Sequence, residues 1–174
     1  APVLSELLVR VVAACVNPID AKTRAGRGVS GAIEQFPSTL GYDFSGPLQI
    51  GGNYVSTLKH GGVLHISGQV PRVGSEVVVV GEAGTDVTLE RAQHAAKVCA
   101  MRALVLIAQA EGSLDAVQQV LSVRVYTRSA PGFTQQSEVA NAASDLLVRV
   151  LGPAGTHTRT SVGVAQLPKG AVVE

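Results

Sequence analysis

One arginine near the end of the chain is the residue best suited to chemistry. The run from His157 to Val164 reads HTRTSVGV, and this alternation predicts a strand. Side chains two positions apart share a face of a strand, so Arg159, Ser161 and Gly163 should line one face, where the glycine leaves room for a small ligand. The opposite, apolar face should pack on helices. A guanidinium fixed beside a hydroxyl suits a carboxylate held by two hydrogen bonds. The alternative is a solvent-facing arginine in an ordinary surface ion pair.

Other chemically capable side chains give weaker signals. Asn141 lies within a predicted helix, where asparagine is a poor helix former, so it is either an exposed amide or a ligand-binding group at a subunit edge. Cys99 lies on an apolar helix stripe and is predicted to be a core residue. No Ser-His-Asp arrangement can be defended from sequence. Metal-ligand spacing is absent among the four histidines, His60, His65, His94 and His157.

A glycine-rich loop at residues 26–31, GRGVSG, matches the pattern G-x-G-x-x-G. A dinucleotide site needs a strand before this motif, a helix after it and an acidic residue about 20 positions further on. Polar residues precede the loop, Pro37 cuts short any helix after it, and no acidic residue lies near position 50. We therefore predict that this loop does not bind a dinucleotide.

The composition narrows the class of protein. The 174 residues suffice for one ordinary domain, and 46% are hydrophobic while only 3% are aromatic. The core should therefore consist of aliphatic side chains. A net charge of +1 gives no electrostatic footprint for nucleic acid or for a membrane surface. There is no apolar run of roughly 18–20 residues, no secretory leader and no disulfide framework, which predicts a cytoplasmic protein.

The elements that must position Arg159 follow from periodicity and capping signals. Two long helices are predicted, one from an N-cap at Thr88 to a C-cap at Gly112 and one over 134–151. Strands are predicted over 53–58, 63–69, 77–80, 117–127, 157–164 and 171–174, with a hairpin turn at 59–62. This order predicts an α+β fold in which two helices cover one face of a mixed sheet.

Four stretches resemble the reactive-intermediate deaminase family (RidA, or YjgF-like), which is also known as endoribonuclease L-PSP. They cover about 120 residues from Asn53 to Glu174: NYVSTLKHGGVLHISGQVP, VCAMRAL with GSLDAVQQVLSVRVYTRS, FTQQSEVANAASDLLVRVLG, and HTRTSVGVAQLPKGAVVE. The resemblance implies a chorismate-mutase-like fold and a homotrimer with its sites at the subunit interfaces.

The same resemblance implies an activity. Family members hydrolyse enamines and imines, converting 2-imino acids to 2-keto acids and ammonia without metal or cofactor. By motif, Arg159 would hold the substrate carboxylate as the catalytic residue, and Tyr54, Ser67, Gly68 and Asn141 would shape the pocket. The family's water-positioning glutamate falls two positions beyond Glu174, past the end of this sequence. The alternatives are therefore a non-catalytic trimer that binds small carboxylates, or the older ribonuclease and translation-inhibitor description.

The first part of the chain has a different resemblance. Residues 7–46 resemble the start of quinone-reductase-type medium-chain alcohol dehydrogenases, through LLVRVVAACVNPIDAKTRAGRG and FPSTLGYDFSG. Nothing later in the chain matches the nucleotide domain of those enzymes. We therefore predict an N-terminal extension over 1–47, not an independent domain, and a RidA-like domain over 48–174.

Overall fold

Two helices dominate the fold. The structure is a computed structural model that describes residues 53–174, and in it α1 spans Leu89–Glu111 and α2 spans Gln136–Leu151. The Thr88 hydroxyl accepts a hydrogen bond from the first turn of α1, and Gly112 ends that helix in the left-handed conformation, at φ 75°. Both predicted ends of α1 are confirmed, whereas α2 begins two residues later than predicted.

Within residues 53–174, six strands form three pairs. β1–β2 and β3–β4 are antiparallel, and β5–β6 are parallel. The strands are β1 (Thr57–His60), β2 (Val63–Ile66), β3 (Arg72–Val73), β4 (Glu76–Val77), β5 (Ser122–Arg128) and β6 (Thr158–Val164).

Several predicted strands differ from the observed ones in extent. The strand predicted over 117–127 spans Ser122–Arg128, and a 3-10 turn occupies Leu114–Ala116 before it. The strand predicted over 77–80 contributes only its first residue to β4, which pairs with the unpredicted β3, and Val80 forms an isolated bridge. The predicted hairpin is present, but its turn consists of Gly61 and Gly62 alone, because β1 spans Thr57–His60 where a strand was predicted over 53–58.

The final residues of the sequence pair with two other segments. Ala171 bridges Val80, and Val173 bridges Thr127 of β5, both in antiparallel fashion. Glu174 exchanges two backbone hydrogen bonds with Tyr126, at 2.9 and 3.0 Å. The final segment thus lies between the segment at residue 80 and β5, and it is buried from residue 171 to residue 173.

The face of β6 that carries Arg159 packs against α2, and this corrects the expected orientation. The register aligns Arg159, Ser161 and Gly163 with Val123, Val125 and Thr127, and the latter two are buried. The Ser161 hydroxyl donates to a backbone carbonyl of α2, at 2.7 Å. The apolar face does not pack on the helices, and Val162 remains 40% exposed there. The polar side chains of Arg159 and Ser161 face α2 instead and form hydrogen bonds with it.

Aliphatic side chains form the core, as the composition predicts. The apolar stripe of α2 is buried, namely Val139, Ala142, Ala143, Leu146, Leu147 and Val150, and Cys99 is buried in α1 as predicted. α1 buries a wide face, although Leu89 and Ala103 are only partly buried. Within residues 53–174, no helix is both long and apolar enough to cross a membrane. The predicted extension 1–47, its dehydrogenase resemblance and its glycine-rich loop lie outside the described residues.

Candidate functional site

Arg159 is anchored to α2 by two hydrogen bonds. Its Nη1 donates to the Ser144 hydroxyl at 3.0 Å, and its Nη2 donates to the Ser137 carbonyl at 3.5 Å. The side chain is exposed, and no carboxylate within residues 53–174 forms an ion pair with it. A guanidinium carries five N–H donors, so this one retains donors for a ligand. The arginine is therefore oriented without being neutralised.

A histidine completes the support behind this arginine. His157 Nε2 lies 2.9 Å from the Ser144 hydroxyl, and its Nδ1 lies 2.6 Å from the Gly155 carbonyl. A carbonyl only accepts hydrogen bonds, so Nδ1 carries a proton, and in the tautomer protonated at Nδ1 the Nε2 atom accepts the hydroxyl proton of Ser144. The hydroxyl can then accept from Arg159. The hydrogen bonds run in one direction, from guanidinium to hydroxyl to imidazole to carbonyl.

Asn141 lies on the same side of α2 as these groups. Residues three and four apart are neighbours on a helix surface, so Asn141 falls between Ser137 and Ser144. Its side chain is exposed. The structure therefore brings the predicted residues Asn141 and Arg159 to one surface between α2 and β6, which we call the arginine half of the site.

Gly163 serves the packing of this surface, and the expectation that it makes room for a ligand is wrong. A Cβ at position 163 would lie 2.7 Å from Ser129 Oγ and 3.1 Å from Gln136 Nε2. The glycine thus allows the start of α2 to approach β6 closely. Ser161 is likewise engaged with the helix, so of these three residues only Arg159 offers donors to a ligand.

Tyr54, Ser67 and Gly68 lie in a second region, which we call the hairpin half. Tyr54 and Ser67 line an open cleft of about 600 Å³ beside the β1–β2 hairpin. The Ser67 hydroxyl donates to the Val55 carbonyl at 2.6 Å, and the Ser67 N–H donates to the Ser56 carbonyl at 2.9 Å. Tyr54 is 59% exposed. The cleft is lined by Asn53, Tyr54, Val55, Leu58, His65, Ile66 and Ser67.

A glutamine and a buried arginine hold the backbone of the hairpin half. Gln69 Nε2 donates to the carbonyls of Ser67 and Gly68, at 2.9 and 3.0 Å. Its Oε1 accepts from Arg102 Nε at 3.2 Å, and Arg102 Nη1 donates to the Arg72 carbonyl at 3.2 Å. Arg102 is only 5% exposed on α1. Nearby on that helix, burial raises the pKa of the Cys99 thiol, which rules it out as a thiolate nucleophile near neutral pH.

The Glu174 carboxylate lies directly against Gly68. A Cβ at position 68 would overlap Glu174 Oε1, so glycine is the residue that lets this carboxylate approach. Burial raises the pKa of the Glu174 carboxyl. A raised pKa brings a carboxyl group closer to the pH range in which general bases work.

Within residues 53–174, no hydrogen bond joins Tyr54, Ser67 or Gly68 of the hairpin half to Asn141 or Arg159 of the arginine half. Sequence reasoning missed Ser144, His157, Gln69 and Arg102. Two signals pointed to some of them: His157 precedes Arg159 by two residues, and Arg102 interrupts an apolar helix stripe. Within the described residues, no group of three or more His, Cys, Asp or Glu side chains could hold a metal ion.

Comparisons with known proteins agree with this architecture. A family model described as "YjgF/chorismate_mutase-like, putative endoribonuclease" matches residues 41–172. Protein TCP17 of Trypanosoma cruzi is 45% identical over 123 residues, which are 70% of this chain and 77% of TCP17. The structure of Atu1372 from Agrobacterium tumefaciens, a protein described as of unknown function, is 38% identical with a TM-score of 0.68, and the match covers 70% of this chain and 78% of that one.

A second solved structure shares the same fold. It is described as a putative endoribonuclease from Shewanella oneidensis MR-1, is 25% identical with a TM-score of 0.70, and the match covers 72% of this chain and 83% of that one. The family match and the identity to TCP17 each extend over more than two thirds of the chain. The chain therefore belongs to the YjgF-like (RidA) family and has its α+β, chorismate-mutase-like fold.

Proposed function

We propose that the protein binds a small 2-imino or 2-keto acid through Arg159 and hydrolyses the imine to the keto acid and ammonia. The observation that carries this proposal is the anchored guanidinium of Arg159, which points no donors at a carboxylate of the described chain. An oriented guanidinium binds a carboxylate through two parallel charge-assisted hydrogen bonds. Anchoring on α2 reduces the entropy that the side chain loses on binding.

The hairpin half supplies the chemistry in this proposal. Water attacks C2 of the protonated imine while a carboxylate accepts one of its protons, which gives a tetrahedral amino alcohol. The carboxyl group then gives this proton to the nitrogen, ammonia leaves, and the hydroxyl passes its own proton to the carboxylate as it becomes the ketone. Glu174 is the carboxylate that lies against Gly68, and its raised pKa suits this exchange. Neither a metal nor a cofactor takes part.

A homotrimer is part of the proposal because it can unite the two halves. The arginine half offers the carboxylate partner and the hairpin half offers the proton acceptor, and a site between neighbouring chains would draw one half from each. Small 2-imino acids are short, so Arg159 and the attacking water must lie within a few ångströms of one another. The trimer is thus the arrangement in which both halves contact one substrate.

The test is ammonia release from freshly generated 2-iminopropanoate by the wild-type chain and two variants. Arg159→Ala should lose most of the acceleration, because the substrate carboxylate loses its partner. Glu174→Gln should lower the rate at saturating substrate and leave KM nearly unchanged, because it removes a proton acceptor and keeps the shape. If Glu174→Gln retains the wild-type rate, a different residue acts as the base.

Two other functions are outcomes of the same experiment. Binding of 2-oxopropanoate that depends on Arg159, without faster imine hydrolysis, would indicate a carboxylate-binding protein that does not turn over. Cleavage of single-stranded RNA by the wild-type chain would favour the ribonuclease description instead. The net charge of +1 and the three tyrosines and three phenylalanines offer little for RNA binding.

A further inference from the structure

We propose that Ser144 and His157 are positioning residues that fix the guanidinium of Arg159 for carboxylate binding. This inference rests on the proposed function, in which Arg159 holds the substrate. The observation is the chain of hydrogen bonds from Arg159 Nη1 to Ser144 Oγ at 3.0 Å and from Ser144 Oγ to His157 Nε2 at 2.9 Å.

The Ser144 hydroxyl can accept a hydrogen bond from Arg159 only if its own proton points away from the guanidinium. A helical serine alone can turn that proton toward a carbonyl of the preceding turn, and its lone pairs then rotate as well. His157 Nε2 offers a fixed acceptor, which holds the proton on the far side and directs a lone pair at Arg159. Ser144 is thus a determined acceptor for the guanidinium, not a freely rotating hydroxyl.

The orientation of the histidine is itself set by the backbone. Its Nδ1 donates to the Gly155 carbonyl at 2.6 Å, which leaves Nε2 as the acceptor. Gly155 is fully buried against α2, and a Cβ at this position would overlap the Leu147 carbonyl. The absence of a side chain at Gly155 therefore allows the chain to pass close to α2 just before His157. The spacing of Gly155, His157 and Arg159, two residues apart, therefore follows from the close approach of this segment to α2.

The arrangement explains how an exposed arginine keeps one geometry. Surface arginines usually sample many rotamers, and ordering one of them costs free energy. Here Ser144 and the Ser137 carbonyl hold the two terminal nitrogens from the same side. The remaining donors must then face away from α2, toward solvent and a ligand.

Two pairs of matched variants test the inference in the full chain. Ser144→Ala removes the acceptor, whereas Ser144→Thr keeps a hydroxyl. His157→Asn can still donate to Gly155 but is too short to reach Ser144, whereas the amide oxygen of His157→Gln can accept at the Nε2 position. Val148→Ala, at an exposed position one turn further along α2, is the neutral control.

Affinity for 2-oxopropanoate, measured by calorimetry, is the first readout. Ser144→Ala and His157→Asn should each weaken binding about tenfold, the effect of about one hydrogen bond to a charged group. Ser144→Thr and His157→Gln should stay close to wild type. Wild-type affinity in Ser144→Ala, or equal losses in Ser144→Ala and Ser144→Thr, would overturn the inference.

A second readout needs no ligand and separates this inference from the proposed function. In the ¹⁵N NMR spectrum, the two terminal nitrogens of Arg159 should give separate signals in the wild type, because rotation of the guanidinium is hindered. They should merge in Ser144→Ala and in His157→Asn. If the wild type binds no 2-oxopropanoate and the signals still behave this way, the proposed function fails and the positioning role stands. Signals that are already merged in the wild type would refute the positioning role.

Discussion

The buried hydroxyl of Thr127 in β5 makes a contribution to the free energy of unfolding that is easy to test. Thr127 is fully buried, and its Oγ1 has no hydrogen-bond partner among the residues that the structure describes. Burial of an unsatisfied hydroxyl is unfavourable, so Thr127→Val should raise the free energy of unfolding by about 1–2 kcal/mol. Thr127→Ser is the control, because it keeps the hydroxyl and loses a methyl, and it should lower stability by about 1 kcal/mol. Urea unfolding measures both, and a Thr127→Val protein less stable than wild type would contradict the prediction.

Glu174 should make stability depend on pH with an unusual sign. Burial raises the pKa of its carboxyl, so the folded protein binds this proton more tightly than the unfolded chain. The contribution of Glu174 to stability therefore falls as pH rises from the ordinary carboxyl pKa of about 4.3 through the raised value. The amide of Glu174→Gln does not titrate, so this variant lacks the pH-dependent contribution. Its melting temperature relative to wild type should increase between about pH 4 and pH 7, and a constant difference would contradict the prediction.

At the scale of elements, the sequence predicted the helices better than the strands. Thr88 and Gly112 mark the ends of α1 because caps act within a few residues. β3 and β4 have two residues each, too few for any alternation to be visible. The alternation of β6 was correct, but its orientation was not. Alternation shows which residues share a face, but it does not show which face meets the helices. In the structure the polar face meets α2, where backbone carbonyls and the Ser144 hydroxyl accept its hydrogen bonds.

The β1–β2 turn gives a prediction about the backbone alone. Gly61 and Gly62 both have positive φ, at 57° and 78°, as a two-residue hairpin turn requires. A Cβ at either position would contact nothing within 4 Å. Gly61→Val should therefore destabilise the protein by about 1–2 kcal/mol through backbone strain, whereas Gly61→Asn should be nearly neutral. Denaturant unfolding compares the two variants, and equal stabilities would show that the turn adopts another conformation.

At the scale of the molecule, the residue spacing in β6 singled out Arg159 as a candidate, but it could not predict which other residues lie near it. Tyr54, Ser67 and Gly68 are distant in sequence from Asn141 and Arg159, and periodicity carries no information on such long-range contacts. Only the family resemblance grouped the five residues, and it grouped them across the subunit interfaces of a trimer. Ser144 and His157 were not predicted to contact Arg159. A serine in a helix and a histidine before a strand show no sequence signal for such a contact until the packing of α2 against β6 is known.

The open face of β6 supplies the last prediction, which concerns the proposed homotrimer. Val162 is 40% exposed on the side of the sheet opposite the helices, and Val148 is 44% exposed on α2. Both can accept glutamate in a monomer, but an unpaired charge buried between chains costs several kcal/mol. Light scattering should therefore give a three-chain mass for wild type and Val148→Glu, and a one-chain mass for Val162→Glu. A three-chain mass for Val162→Glu would place the contact elsewhere, and a one-chain mass for the wild type would contradict the proposed homotrimer.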